Sequence, residues 1–368
     1  MYVTRRAFLT GASGLLTMTQ TQMSSTAAQS LSSKSLAAKP LAVPGKPLQF
    51  RITALPLLPG GDYSSVCAIN NRGQAVGSCS NGQTIVSGLL RDTRAVLWQE
   101  NTVRDLVEKQ FIAPQGHRIN DRGQVLLNWQ YISSAQGGSV PPPEDYALLW
   151  DGKVQRVWKQ HDGFLPTSLN NHGEIAGRRS RIMWQAARWQ NGKAVPIIFP
   201  TDVVDSQVLG INDAGQMMGT FARSQDNGEQ GLFVWLAGKL DFVPANKMRS
   251  AYYTGAMNAK GQITGIFRET DTRIAHLFLW KKGKLLDRGA IGREGLAYSI
   301  NLRGDMVGKA DWGAFLATDG KPEKLSNSLP PDSGWTLYEA TGINDKRQIV
   351  GNGEFQGQRR AFLLTLAP

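Results

Sequence analysis

The chain has 368 residues, 41 Lys and Arg against 29 Asp and Glu, and a formal net charge of +12 at pH 7. With 2 Cys and 4 His it is too poor in soft ligands for a disulfide-stapled scaffold or a multi-zinc fold. A hydrophobic content of 41% excludes a wholly disordered chain, and the basic balance favours anionic surroundings such as acidic glycans or envelope groups.

The first element is an export signal. Thr4-Arg5-Arg6-Ala7-Phe8-Leu9 matches the twin-arginine pattern, and Thr10 to Met23 is only mildly apolar, with Gly11, Gly14 and several Thr and Gln. A membrane span needs about 20 predominantly apolar residues, so a cleaved leader over residues 1–28 is expected instead, with small residues ending at Ala28 as the cleavage point. Its removal takes away Arg5 and Arg6 and no acid, leaving a charge of +10. Residues 29–47, rich in Ser, Ala, Pro and Lys, read as a flexible tether. The location expected is periplasmic or extracellular, by the twin-arginine route.

From residue 48 to 368 one phrase organises the chain. It is roughly Ile-Asn-x-x-Gly-Gln-x-Val-Gly, and its Asn recurs as Asn70, Asn120, Asn170, Asn212, Asn258, Asn301 and Asn344. Successive Asn residues stand 50, 50, 42, 46, 43 and 43 positions apart, a spacing that suits one small antiparallel sheet per unit. Asn can bond its own backbone two residues on, and the following Gly supplies positive φ, so each copy reads as a tight hairpin. The seventh copy has Arg347 in the Gly slot, which predicts a strained or different turn. A second hairpin follows in each unit, where a strand ending in Trp98, Trp150, Trp189, Trp235 or Trp280 meets a turn such as Asp151-Gly152, Asn191-Gly192, Lys282-Gly283 or Asp319-Gly320. Two hairpins make four strands.

The last unit lacks its fourth strand after Ala361-Phe362-Leu363-Leu364, and Phe50 to Leu55 looks like the missing piece. The fold expected is therefore all-β: a seven-bladed β-propeller of four-stranded antiparallel blades, closed by the N-terminal strand joining the last blade, leaving no exposed edge. It forms one domain, expected to act as a monomer.

The repeat resembles that of the HAF-repeat proteins, a family of bacterial extracellular proteins named for a His-Ala-Phe tripeptide. Here the tripeptide is degenerate, as His276-Leu277-Phe278, Gly313-Ala314-Phe315 and Arg360-Ala361-Phe362. The resemblance implies an extracellular repeat protein and carries no catalytic residue.

Cys67 and Cys79 flank the first hairpin, and in an exported chain they form either a disulfide or two free thiols. Asp121, Asp213 and Asp345 supply one carboxylate per turn, short of the six to eight oxygens calcium takes, so turn formation is the better reading. His117, His161, His172 and His276 show no zinc spacing. Glu174 and Asp305 replace the usual Gln and could supply an acid pair. No cofactor, metal or nucleic acid is expected.

Loop variability points to one face. The tight hairpins are uniform, whereas Ser78 to Arg94, Asn128 to Tyr146, Lys309 to Trp312 and Leu325 to Ala340 vary in length and content. Trp129, Tyr131, Arg178, Arg179, Arg181, Arg223, Tyr252, Tyr253, Arg268, Arg273, Trp312, Trp335 and Tyr338 lie on that face, and aromatics and arginines are the residues enriched in recognition surfaces. The function expected is a ligand-binding or protein-interaction module for an anionic glycan or envelope protein. The alternatives are a polysaccharide hydrolase or lyase using channel acids and a purely structural surface protein.

Overall fold

The computed structural model describes residues 48–85, 90–107, 114–129, 145–159, 162–179, 183–224, 230–243, 249–318 and 320–368. These residues form seven four-stranded antiparallel sheets, a seven-bladed β-propeller. The innermost strands are Ser64–Ile69, Pro114–Ile119, Phe164–Leu169, Val203–Ile211, Arg249–Met257, Leu296–Ile300 and Trp335–Ile343, which define blades 1 to 7.

Closure falls where the sequence placed it. Phe50–Ala54 pairs antiparallel with Gln358–Leu366, from Phe50 opposite Leu366 to Ala54 opposite Phe362. The pairing continues outward as the Leu55 N–H donates to Ala361 O at 2.9 Å and the Ala367 N–H to Gln49 O at 2.8 Å. The secondary structure also includes a short 3₁₀ segment, Leu325–Ser328.

Apolar side chains pack between blades rather than within one central core. Val76 and Leu97 of blade 1 meet Val125 and Leu148 of blade 2, and Ile266 and Leu277 of blade 5 meet Met306 and Phe315 of blade 6. Each blade thus buries its faces only against neighbours, so stability belongs to the closed ring.

The repeated hairpin is more than a turn. In every blade the Asn side-chain oxygen accepts the N–H groups two and four residues on, as Asn70 does from Arg72 at 3.0 Å and Gln74 at 2.9 Å. Its amide donates once to the side chain four residues on, Gln74 Oε1 at 2.8 Å, and once to the backbone oxygen of the next blade's Asn, Asn120 O at 2.9 Å. The second contact recurs from Asn120 to Asn170, to Asn212, to Asn258, to Asn301, to Asn344 and back to Asn70, at 2.8–3.4 Å. Seven asparagines therefore close a hydrogen-bonded ring on the hairpin face.

The seventh turn keeps the same bond, Arg347 N–H to Asn344 O at 3.0 Å, with Arg347 at φ +61°. The strain expected there is matched by a contact: Arg347 Nε and Nη2 donate to Asp305 of blade 6 at 2.8 and 3.2 Å. In the other blades the Gly in this slot lies against the preceding blade's Gln, as Gly123 does against Gln74, or, for Gly215, against Glu174. Two departures from the repeat, Asp305 and Arg347, thus form one ion pair.

One expected loop is largely sheet. Ser78 to Arg94 continues the strands Ala75–Ile85 and Leu90–Gln99, with Ser80 opposite Thr93 and Ile85 opposite Leu90. The cysteines are two free thiols. Cys67 sits in a β-bulge between Val66 and Ala68, and Cys79 lies opposite Ser64.

Candidate functional site

All seven innermost strands carry a bulge three residues before the repeat Asn, at Cys67, His117, Thr167, Leu209, Gly255, Tyr298 and Thr341. A bulge re-aims its side chain, and here three of them cross to the next blade. Thr167 donates to Val208 O at 2.5 Å, Thr341 to Val66 O at 3.0 Å and Tyr298 to Glu339 Oε2 at 3.1 Å. Blade 7 has a second bulge between Leu337 and Glu339, which turns Tyr338 outward to 39% exposure.

Beside that bulge lies a cavity of about 760 Å³ on the variable-loop face, lined by parts of blades 1, 6 and 7. Trp312, Trp335 and Tyr338 line it together, with Lys309, Lys324 and Arg359 around them. Trp335 stacks on Phe355 at 4.9 Å and 17° and meets Phe362 edge-on at 5.7 Å, so its ring is fixed. Trp312 is 37% exposed at the rim. Tyr338 donates its hydroxyl to Glu354 at 2.6 Å, and that bond with the neighbouring carboxylate raises the phenol's pKa.

Both carboxylates in the cavity wall are engaged. Asp311 accepts the N–H groups of Arg293 and Glu294 at 2.9 and 2.8 Å, and the Glu294 and Arg293 amides hold it below the usual carboxylate range. Glu339 accepts from Tyr298 and, at 2.9 Å, from Asn352, while burial followed by the Glu339 charge pushes the Tyr298 phenol far up.

The remaining expected residues do not join this site. Arg178 donates to Gln207 at 3.2 Å and lies over Trp184 at 4.1 Å, and burial lowers its pKa. Arg179 forks onto Gln185 at 2.8 and 2.6 Å. Arg223 pairs with Asp202 and lies over Phe221 and Phe242. Arg268 bonds the carbonyls of Arg273 and Arg293, and Arg273 is exposed. Several of these stand on strands rather than loops: Arg178 and Arg179 close Ile175–Arg179, and Tyr252 and Tyr253 lie in the middle of Arg249–Met257. Tyr131 and Arg181 lie outside the described residues, as do the side chains of Trp129, Tyr252 and Tyr253.

The opposite, hairpin face has its own depression of about 300 Å³, lined by the Ile-Asn pairs and the residue after each Asn. Asp121 and Asp213 are separated there by the Asn171 amide, which donates to both at 3.2 and 2.9 Å. The Asp carboxylates thus link the hairpins of neighbouring blades. Glu174 and Asp305 are each held by their own repeat Asn, at 2.5 and 2.9 Å. Among the described residues no group of three or more His, Cys, Asp or Glu is placed to hold a metal.

No family model matches the chain, and no curated protein matches it. Solved structures do. The extracellular domain of BT4673 from B. thetaiotaomicron is 10% identical over 85% of this chain and 39% of that one, with a TM-score of 0.48. The GH74 xyloglucanase from Xanthomonas campestris is 13% identical over 83% and 44%, with a TM-score of 0.44. A gluconolactonase from the same organism is 10% identical over 86% and 90%, with a TM-score of 0.38. This chain spans about two fifths of the first two.

Proposed function

We propose that the protein is an exported binding module that takes an acidic glycan of the envelope or its surroundings in the cavity of blades 6, 7 and 1. The carrying observation is the convergence of Trp312, Trp335 and Tyr338 with Lys309, Lys324 and Arg359 on one concave surface. Aromatic faces offer apolar area at low entropic cost, and the cations complement carboxylate or sulfate groups. The repeat grammar supports placing the chain among the HAF-repeat proteins, and the Arg5-Arg6 motif supports twin-arginine export.

A glycan array probed with the purified protein tests the reading. Acidic glycans are expected to bind, with Trp312→Ala weakening them by about tenfold or more, a loss of ~1.4 kcal/mol. Unchanged binding in Trp312→Ala contradicts the site. For export, Arg5→Lys with Arg6→Lys is expected to hold the protein in the cytoplasmic fraction. The hydrolase reading has less support, since Asp311 and Glu339 are both committed to hydrogen bonds. Turnover of an acidic polysaccharide that vanishes in Glu339→Gln would favour it.

A further inference from the structure

Arg118 is out of place in the repeat. It stands two residues before Asn120, where the other six blades have Ala68, Ser168, Gly210, Ala256, Ser299 and Gly342. Small residues suffice to build that part of the ring, so Arg118 answers another need.

Its surroundings define that need. Arg118 follows the His117 bulge on the innermost strand of blade 2, close to Cys67 on the innermost strand of blade 1. Protein encloses the side chain, yet it keeps some contact with solvent on the innermost strand of its blade. Cys67 lies midway between Ser65, which lines the variable-face cavity, and Ile69, which lines the hairpin-face depression. Arg118 Nη1 donates to His117 O at 3.0 Å, and among the described residues no carboxylate pairs with the guanidinium. An enclosed cation without a counter-ion is costly to desolvate, and an anion would offset that cost. The Glu339 carboxylate, which acts on Cys67, is bonded to Tyr298 and Asn352, and the two neighbours Cys67 and His117 supply no charge. Burial pushes the Cys67 thiol up to about 11 and holds His117 down at about 3, where the Arg118 charge also contributes, so both are neutral at pH 7.

We propose that Arg118 anchors a site for one oxyanionic group, a carboxylate or a phosphate, held by its guanidinium in the wall of the central channel. The planar fork matches such a group bidentately. The site deepens the binding reading by giving the ligand's acidic group a seat, and it is tested apart from any glycan.

The purified full chain is titrated by calorimetry with sodium phosphate and with D-glucuronate, at ionic strength held constant with chloride. Saturable 1:1 binding of at least one is expected, and which one binds separates the phosphate from the carboxylate source. Arg118→Met is expected to weaken it by about tenfold or more, and Arg118→Lys to weaken it less, because it keeps the charge and loses the fork. Should Arg118→Met fail to fold, the Arg118 Nε–Hε NMR resonance of the wild type replaces it and is expected to move with anion concentration. No saturable response to either anion, equal affinity in Arg118→Met, or a static resonance overturns the proposal. Trp312-dependent glycan binding without free-anion binding would overturn this inference alone. Free-anion binding at Arg118 without Trp312-dependent glycan binding would overturn only the cavity reading.

Discussion

Asparagine is the one side chain that meets every demand of the repeat. Its oxygen must accept two N–H groups and its nitrogen must donate twice, once within the hairpin and once across the blade boundary. Asp lacks the donors and Ser has one. Asn258→Ala, which leaves all four partners unmet, is expected to cost about 2–4 kcal/mol in urea denaturation, and Asn258→Asp to destabilise as well. Asp305, buried, and Arg347, half-buried, form a pair that replaces the Gln-against-Gly contact. Single changes Asp305→Gln and Arg347→Gly each break the pair. The double variant restores the pattern of the other blades and is expected to regain most of the loss, with about 1–3 kcal/mol of coupling in the cycle. The sequence showed both anomalies but not that they touch, because 42 residues separate them and only ring geometry brings them together. The recurrence of Asn in seven of seven copies, with an oxygen-bearing side chain always four residues on, was the available sign of more than a turn.

His117 gives the molecule an acid-sensitive point. Its folded pKa is depressed to about 3, so between pH 6.5 and 3 the unfolded chain binds a proton that the folded one does not. Stability is therefore lost as pH falls through that window, by up to about 1.4 kcal/mol per pH unit from this group. His117→Gln is expected to flatten the stability profile between pH 6.5 and 4; an unchanged profile contradicts the assignment.

At the scale of the element, turn chemistry carried the hairpins. Asn191-Gly192, Lys282-Gly283 and Gln356-Gly357 all have positive φ at both positions, which defines type I′ turns and sets strand register. The bulges were not legible, because no residue type marks them: Cys, His, Thr, Leu, Gly and Tyr all occupy the slot. A second, incomplete hydrogen-bonded ring accompanies the first. Asn71, Asp121 and Asn171 each donate their backbone N–H to the next blade's side chain, at 2.7–2.8 Å, and Leu302 and Asp345 do so at 2.7 and 2.9 Å. Ala259 breaks the series, since it offers Asp213 no acceptor. Ala259→Asn is expected to raise the melting temperature by supplying that acceptor, worth about 0.5–1.5 kcal/mol; a fall would contradict the ring's contribution.

For the whole molecule, closure was readable because a strand missing at one end of the chain stood at the other. Deleting Phe50–Ala54 would expose the edge of Gln358–Leu366, and the ring is expected to lose its cooperative unfolding. The site was legible only in part. Trp312, Trp335 and Tyr338 converge because blades 6 and 7 are neighbours, whereas Arg178, Arg179, Arg223 and Arg268, expected on the same face, have their own local partners. Arg118 was missed, since a single Arg before an Ile-Asn pair reads as ordinary until its enclosure is seen.

The hairpin face holds the ring, and the variable face is the one proposed to bind. Paired melting temperatures and acidic-glycan affinities for Asn170→Ala and Trp312→Ala test that division directly. The account predicts a marked fall in melting temperature with near-native affinity for Asn170→Ala where it remains folded, and near-native melting with at least about tenfold weaker binding for Trp312→Ala. Affinity lost at Asn170 in a folded ring, or kept at Trp312, would contradict it.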